Sequence, residues 1–153
     1  MSVDLRTALP YLLLEAIAWA DAQAAQCAGS GRPLDAGEAR LARSVGVAHP
    51  ERVRVSVVDA LPVPNDPTLR AAALESGLLG QGAIGLTLGH SIFVRAGHET
   101  ARLLSHELRH VYQYERAGSI AGFLPTYLQQ IIEVGYAACP LERDARGHEV
   151  TDL

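Results

Sequence analysis

The stretch Thr100-Ala-Arg-Leu-Leu-Ser-His106-Glu107-Leu-Arg-His110-Val-Tyr-Gln-Tyr-Glu-Arg-Ala117 constrains the chain more than any other, because it sets H-E-x-x-H inside a pattern with helical periodicity. On that repeat His106 and His110 stand one above the other, about one turn apart, so both imidazoles can reach a single ion. Glu107 is rotated by about 100° from His106, off the histidine line yet close enough to touch a water held by that ion. Leu104, Leu108 and Val111 fall on the opposite side as a core-facing stripe, while Leu103 shares the histidine side. A helix apolar behind and carrying paired histidines in front is what a buried zinc site requires. Arg102, Arg109 and Arg116 form a narrow seam along it, which reads as a solvated edge.

The rest of the composition narrows the setting. With 153 residues, 48% of them apolar and 20% charged, there is material for one core and no sign of disorder. The net charge of −4 and the absence of a Lys/Arg cluster exclude a phosphate-binding face, and five Tyr, two Phe and one Trp leave no stacking platform for single strands. The Leu- and Ala-rich stretch 5–26 is broken by Glu15 and Asp21 and is preceded by Asp4, so it predicts a core helix rather than a leader or a membrane span. A cytoplasmic setting follows as the expectation. Cys27 and Cys139 lie far apart with no C-x-x-C and read as ordinary thiols in a reducing compartment.

Read in order, Asp4 can cap a first helix through Leu9, Leu13, Ile17, Ala20 and Ala24, with Pro10 setting its early turn or kinking it. Trp19 reads as a packing residue. Asp35 and Glu38 resemble a capping box opening a short helix that Gly46 ends. Arg52 to Val58 alternates as a strand, the prolines at 62, 64 and 67 force turns, and Thr68 can cap a helix from Leu69 to Ser76. Ile84 to Leu88 and Ser91 to Arg95, joined by Gly89-His90, predict a β-hairpin whose first strand could run beside an extended peptide. Gly118 closes the central helix, Ser119 opens the next with Phe123, Leu124, Leu128, Ile131 and Ile132 as its packing side, and Pro140 begins a last one. The expectation is an α+β fold: one mainly helical domain, residues 1–153, with a small antiparallel sheet. Helices fill 1–46, the sheet lies within 53–95, and the zinc-site helices occupy 100–150.

Two histidines do not complete a catalytic zinc site, which commonly takes three protein ligands. Glu133, Glu142, Asp144, His148 and Glu149 lie downstream. Glu142 is favoured because the chain returns it on a new helix after one intervening helix, with Asp144 next; Glu133 is expected to face water and His148 to be surface. For a donor to a developing oxyanion, Tyr136 ranks ahead of Tyr127, His90 and His98 because it lies in the turn before the Glu142 helix. Gln113, on the His106 side, can bond a ligand's second nitrogen or simply pack.

His106-Glu-Leu-Arg-His110 with a downstream Glu142 resembles the gluzincin metallopeptidases, in which a separate helix donates a glutamate to a His-His-Glu zinc site. The run His110-Val-Tyr-Gln-Tyr-Glu-Arg, then Phe123-Leu124, Gly135-Tyr136 and Pro140-Leu-Glu142, is similar to small bacterial members that keep about the minimal catalytic half of the fold; the likeness covers residues 80 to 145. It implies a zincin-like fold, His106, His110 and Glu142 as zinc ligands, and Glu107 as general base. Thermolysin-like members carry a histidine-orienting acid four residues beyond the ligand glutamate, where this chain has Arg146, so that support must come from Asp144, a backbone carbonyl or another group. The expected function is zinc-dependent peptide hydrolysis, with Glu107 taking a water proton and passing it to the leaving amine. The competing expectations are a zinc-holding scaffold that hydrolyses nothing and a latent enzyme held off by the tail after Gly147 or by self-association.

Overall fold

The computed structural model describes residues 4–80 and 82–152. Its elements run α1 (Leu5–Ser30), β1 (Arg32–Pro33), α2 (Ala36–Ser44), a 3-10 turn (Pro50–Arg52), β2 (Arg54–Val58), α3 (Pro67–Glu75), β3 (Gly85–Leu88), β4 (Ser91–Arg95), α4 (Ala101–Ala117), α5 (Ile120–Val134) and α6 (Pro140–Gly147). This is a mainly helical α+β chain with one small sheet, and no helix among the described residues is long and apolar enough to cross a membrane.

Several boundaries follow from local chemistry. The Asp4 side chain accepts from the Arg6 N–H at the start of α1, and the helix continues past Pro10. At α2 the Asp35 carboxylate accepts from the Glu38 N–H at 2.8 Å while Glu38 reaches back to the Asp35 N–H at 2.9 Å, a complete capping box. α3 corrects the expected cap. Asp66 accepts from the Leu69 N–H at 2.9 Å and Pro67 takes the first helical position, which puts Thr68 inside the helix. Proline needs no N–H partner there, so it draws the helix start back one residue beyond the threonine. β2 also begins later than the alternation suggests, because Pro50 opens a 3-10 turn that includes Arg52.

The sheet order is β1-β2-β4-β3. β3 and β4 form the antiparallel hairpin, but β2 and β4 pair in parallel, with Val55 opposite Ile92 and Val57 opposite Val94. The expected all-antiparallel sheet is therefore a mixed one. The connection from Val58 to Ser91 is long enough to cross over and bring the chain back in the same direction, which a tight turn cannot do. β4 lies inside the sheet, and its residues 91–94 are buried on both faces. Ile92 and Val94 pack with Val55 of the neighbouring strand and Val53 just before it, Leu41 of α2, and Leu104, Leu108 and Val111 of α4. Phe93, on the other face, joins Ala20 and Cys27 of α1 and Phe123, Leu124 and Ile131 of α5. Complete burial of Leu108 is worth about 1.5–3 kcal/mol relative to exposure, so the back of α4 is anchored firmly enough to fix where its front points.

Trp19 of α1 packs as expected, half-buried against the α1/α5 core. α5 runs from the Ser119 cap to Gly135, and the turn at 135–139 delivers Pro140 to the first position of α6. No side chain of its own caps α6; Gln130 of α5 accepts from the Leu141 N–H at 3.2 Å instead. This borrowed cap fixes the first turn of α6, which carries Glu142, against the two preceding helices.

Candidate metal centre

α4 is positioned at both ends by its own residues. The Thr100 hydroxyl accepts from the Leu103 N–H at the start, and Gly118 closes the helix at φ +90°, a left-handed conformation that suits glycine. With Leu104, Leu108 and Val111 locked into the core, His106, Glu107 and His110 face α6 and the edge strand β3. The two imidazoles meet edge to face with ring centroids 4.9 Å apart. Ligand atoms of His106, Glu107 and His110 lie within 4.8 Å of one another, a largely buried group that could hold a metal ion.

Glu142 enters this group from α6. Its Oε1 lies 3.1 Å from His106 Nε2 and its Oε2 lies 3.1 Å from His110 Nε2. Glu107 is more distant, with Oε2 4.0 Å from His106 Nε2. Tyr127 of α5 donates its hydroxyl to Glu142 Oε2 at 2.6 Å, which holds the carboxylate between the rings. Among the downstream candidates only Glu142 reaches both Nε2 atoms: Glu133 is exposed and bonded by Gln129, and His148 Nδ1 lies on the Asp144 carbonyl. Asp144 pairs with Arg109 at 2.8 Å and accepts from Gln113.

The outer nitrogens of the histidines decide what the inner ones can do. Gln113 Nε2 donates to the Leu141 carbonyl and to Asp144 Oδ2, both at 2.9 Å, so its Oε1 must be the atom that meets His110 Nδ1 at 2.7 Å. His106 Nδ1 meets Glu149 Oε2 at 2.8 Å, and Arg102 Nε donates to the other Glu149 oxygen at 2.7 Å. Both Nδ1 atoms therefore face acceptors and carry hydrogen. In the neutral rings the Nε2 lone pairs then point at carboxylate oxygens, and that contact is repulsive until a cation sits among them. Tetrahedral bonds of about 2.0–2.1 Å place neighbouring ligand atoms about 3.3 Å apart, and the two 3.1 Å contacts from Glu142 to the histidines are close to that spacing.

Without a metal a proton must serve. Burial pulls the His110 imidazolium down, but the adjacent Glu142 carboxylate outweighs it and holds the group at about 9. His106 is raised against burial by Glu142 and the neighbouring acids, and Glu142 is driven well below the usual carboxylate range because its two histidine partners overcome its desolvation. Glu107 moves the other way. Burial raises it, and only the histidines and a 2.9 Å hydrogen bond from the Thr87 hydroxyl restrain the rise.

Tyr136 is half-buried beside this group, its hydroxyl raised by burial and then by Glu142 and Glu107. Tyr127 is committed to Glu142. His90 pairs with Glu115 at 3.0 Å and His98 is exposed, so neither histidine joins the centre. Arg146 donates to the Ala137 carbonyl and ties α6 to the turn that carries Tyr136. Three features escaped the sequence reading. Glu149 orients His106, with Val150 N–H bonded to Ser105 Oγ at 2.9 Å to dock the segment; Thr87 holds Glu107; and the arginine seam is not a solvated edge throughout. Arg109 bonds Asp144 and the Val45 carbonyl and lies 3.9 Å over the Tyr112 ring, and exposed Arg102 braces Glu149. The signal available for Glu149 was Arg102, one turn before His106, a cation in need of an acid.

Gly85 of β3 allows the edge strand to approach the centre. A Cβ there would lie 3.0 Å from Leu103 Cδ1 and 3.1 Å from Glu107 Cδ. Beside Glu107 a cavity of about 150 Å³ opens between β3, α1, α3 and α5, lined by Glu107, His110, Tyr136 and Glu142, by Ser76 and Thr87, and otherwise mainly by apolar side chains. Compared with known proteins, the chain matches no family model, no curated protein and no solved structure.

Proposed function

We propose that this protein is a zinc-dependent peptide hydrolase with a zincin-like arrangement, His106, His110 and Glu142 being the ligands. The observation that carries the reading is the pair of imidazoles with Nδ1 on acceptor oxygens and Nε2 on one carboxylate, a set that suits a small divalent cation. Two imidazoles and one carboxylate suit zinc best among the common ions.

When bound, the ion would supply Lewis acidity for the scissile carbonyl and acidify a nearby water. Glu107, raised by burial and turned toward the histidines, accepts a proton from the attacking water as its oxygen bonds the carbonyl carbon. It then delivers that proton to the amide nitrogen, so the C–N bond breaks and a neutral amine leaves. Tyr136, protonated across the working range, donates a hydrogen bond to the oxygen that gains charge. β3, the sheet's terminal strand, offers backbone groups to an extended substrate.

Arg146, standing where thermolysin-like members carry a histidine-orienting acid, fits the competing reading of a scaffold that hydrolyses nothing. Glu149 and Gln113 supply the histidine orientation that Arg146 cannot, which favours the enzyme. Glu107→Gln is the test: peptide cleavage should vanish while about one zinc per chain is retained, and a variant that cleaves at the wild-type rate rejects the base assignment.

A further inference from the structure

The cavity beside Glu107 differs in kind from the metal centre it adjoins. Leu12, Ala16 and Trp19 of α1, Ala73 of α3, Leu86 of β3 and Leu128 of α5 are among its walls, and the only acids and imidazole in its lining, Glu107, Glu142 and His110, belong to the metal centre. At about 150 Å³ it equals the size of an apolar protein cavity that admits one benzene ring. A charged group placed there would lose its hydration with no partner along the walls, whereas an apolar side chain would exchange water for packed carbon.

We infer that this cavity is the specificity pocket of the enzyme and that it takes one bulky apolar side chain, of leucine or phenylalanine size, from a residue flanking the cleaved bond. The inference rests on the peptidase reading for the word "cleaved", but the preference of the cavity does not. Because Glu107 and Tyr136 line the same cavity, a substrate side chain that fills it holds the attached backbone beside the proposed base, which a free apolar molecule does not do. The walls on α1 and α3 lie outside the H-E-x-x-H helix, so size selection can be altered without touching a proposed ligand.

The experiment has two arms. In the first, peptides differing at one position are compared with the zinc-loaded protein: a Leu or Phe peptide should exceed its Gly counterpart by at least about 100-fold in kcat/KM, consistent with tenfold or more per buried methylene. Ala16→Leu and Ala73→Leu should each remove at least about tenfold of that advantage while an Ala peptide is still cut. The second arm needs neither metal nor turnover. Trp19 is the chain's single tryptophan and lines the cavity, so its emission reports filling. N-acetyl-leucine amide or N-acetyl-phenylalanine amide should shift it saturably in metal-free protein, N-acetyl-glycine amide should not, and both leucine variants should weaken the shift. A saturable Trp19 response without any peptide cleavage retains the pocket and rejects the peptidase. Cleavage that prefers charged or small residues, or a Trp19 response equal for all three amides, overturns the pocket.

Discussion

The two sides of Glu107 are built on opposite principles. Toward α6, nearly every polar atom has an assigned partner: each imidazole is held at both nitrogens, Glu142 is held by Tyr127, and Gln113 is fixed by two acceptors. Toward α1 and α3 there is an apolar hollow, and the small cluster of Leu12, Leu69 and Ala72 packs apart from the main core. An ion tolerates little error in ligand direction, and the over-determined first side would meet that demand. A side chain of variable shape needs only room and dryness, so the second is left open.

The comparison breaks most severely at Glu142. Glu142→Ala would leave two largely buried imidazoles without their shared anion and remove the proposed third ligand, and deleting one partner of a buried charged pair costs about 3–5 kcal/mol. Metal analysis should find little bound zinc, and denaturant unfolding of the metal-free protein should move by that order. If occupancy and stability both stay at wild type, Glu142 does not belong to the centre.

Next in size is the pH response of the metal-free protein. His110 is raised from 6.5 to about 9, so its contribution is full below 6.5 and is lost as pH rises through about 9. Stability should fall by on the order of 3 kcal/mol across that window, at about 1.4 kcal/mol per unit. Glu142, depressed from 4.5, gives the acid side: its contribution is present above 4.5 and drains away as pH falls further. With zinc bound the alkaline loss should disappear, since the ion replaces the proton at Nε2. Thermal melts at pH 6.5 and 9 with and without zinc read this directly, and parallel curves would refute it.

A smaller effect is expected from the outer partners. Gln113→Leu and Glu149→Gln should each weaken zinc binding about 10- to 100-fold with the fold intact. Truncation after Gly147 should do the same, because it removes Glu149 and the Val150 contact to Ser105. That outcome opposes the expectation of a latent enzyme, in which shortening the tail would release activity. Calorimetric zinc titration separates the two.

How much of this was legible in sequence depended on distance along the chain. The α4 pattern, the capping box at Asp35, the hairpin and the stops at Gly118 and Gly135 are local, and each was readable because the partners lie within a few residues. Glu142 was reachable by topology, one helix away from its partners. The parallel β2/β4 pairing was not, since its register depends on a crossover that no local pattern encodes. Glu149 was hidden for the same reason: a carboxylate after a helix end looks like surface until the segment is seen folded back on α4. The Arg109 bridge was lost because a heptad spacing describes one helix and says nothing about the α6 acid that meets it.

The finest cut falls at Thr87, which stands on the boundary between the two sides. Its hydroxyl donates to Glu107 Oε1 at 2.9 Å and lies 3.2 Å from the Glu107 carbonyl, so it stabilises the ionised carboxyl against the burial that raises it. Thr87→Val keeps the shape and removes the donor, and the neutral form of Glu107 then persists to higher pH. The acidic limb of kcat/KM should move upward, with zinc affinity unchanged because no proposed ligand loses a contact. A shifted limb with intact zinc binding separates proton handling from ion holding within a single helical turn. An unmoved limb would mean that the group titrating in catalysis is not Glu107, and the division between the two sides would have to be redrawn on the far side of β3.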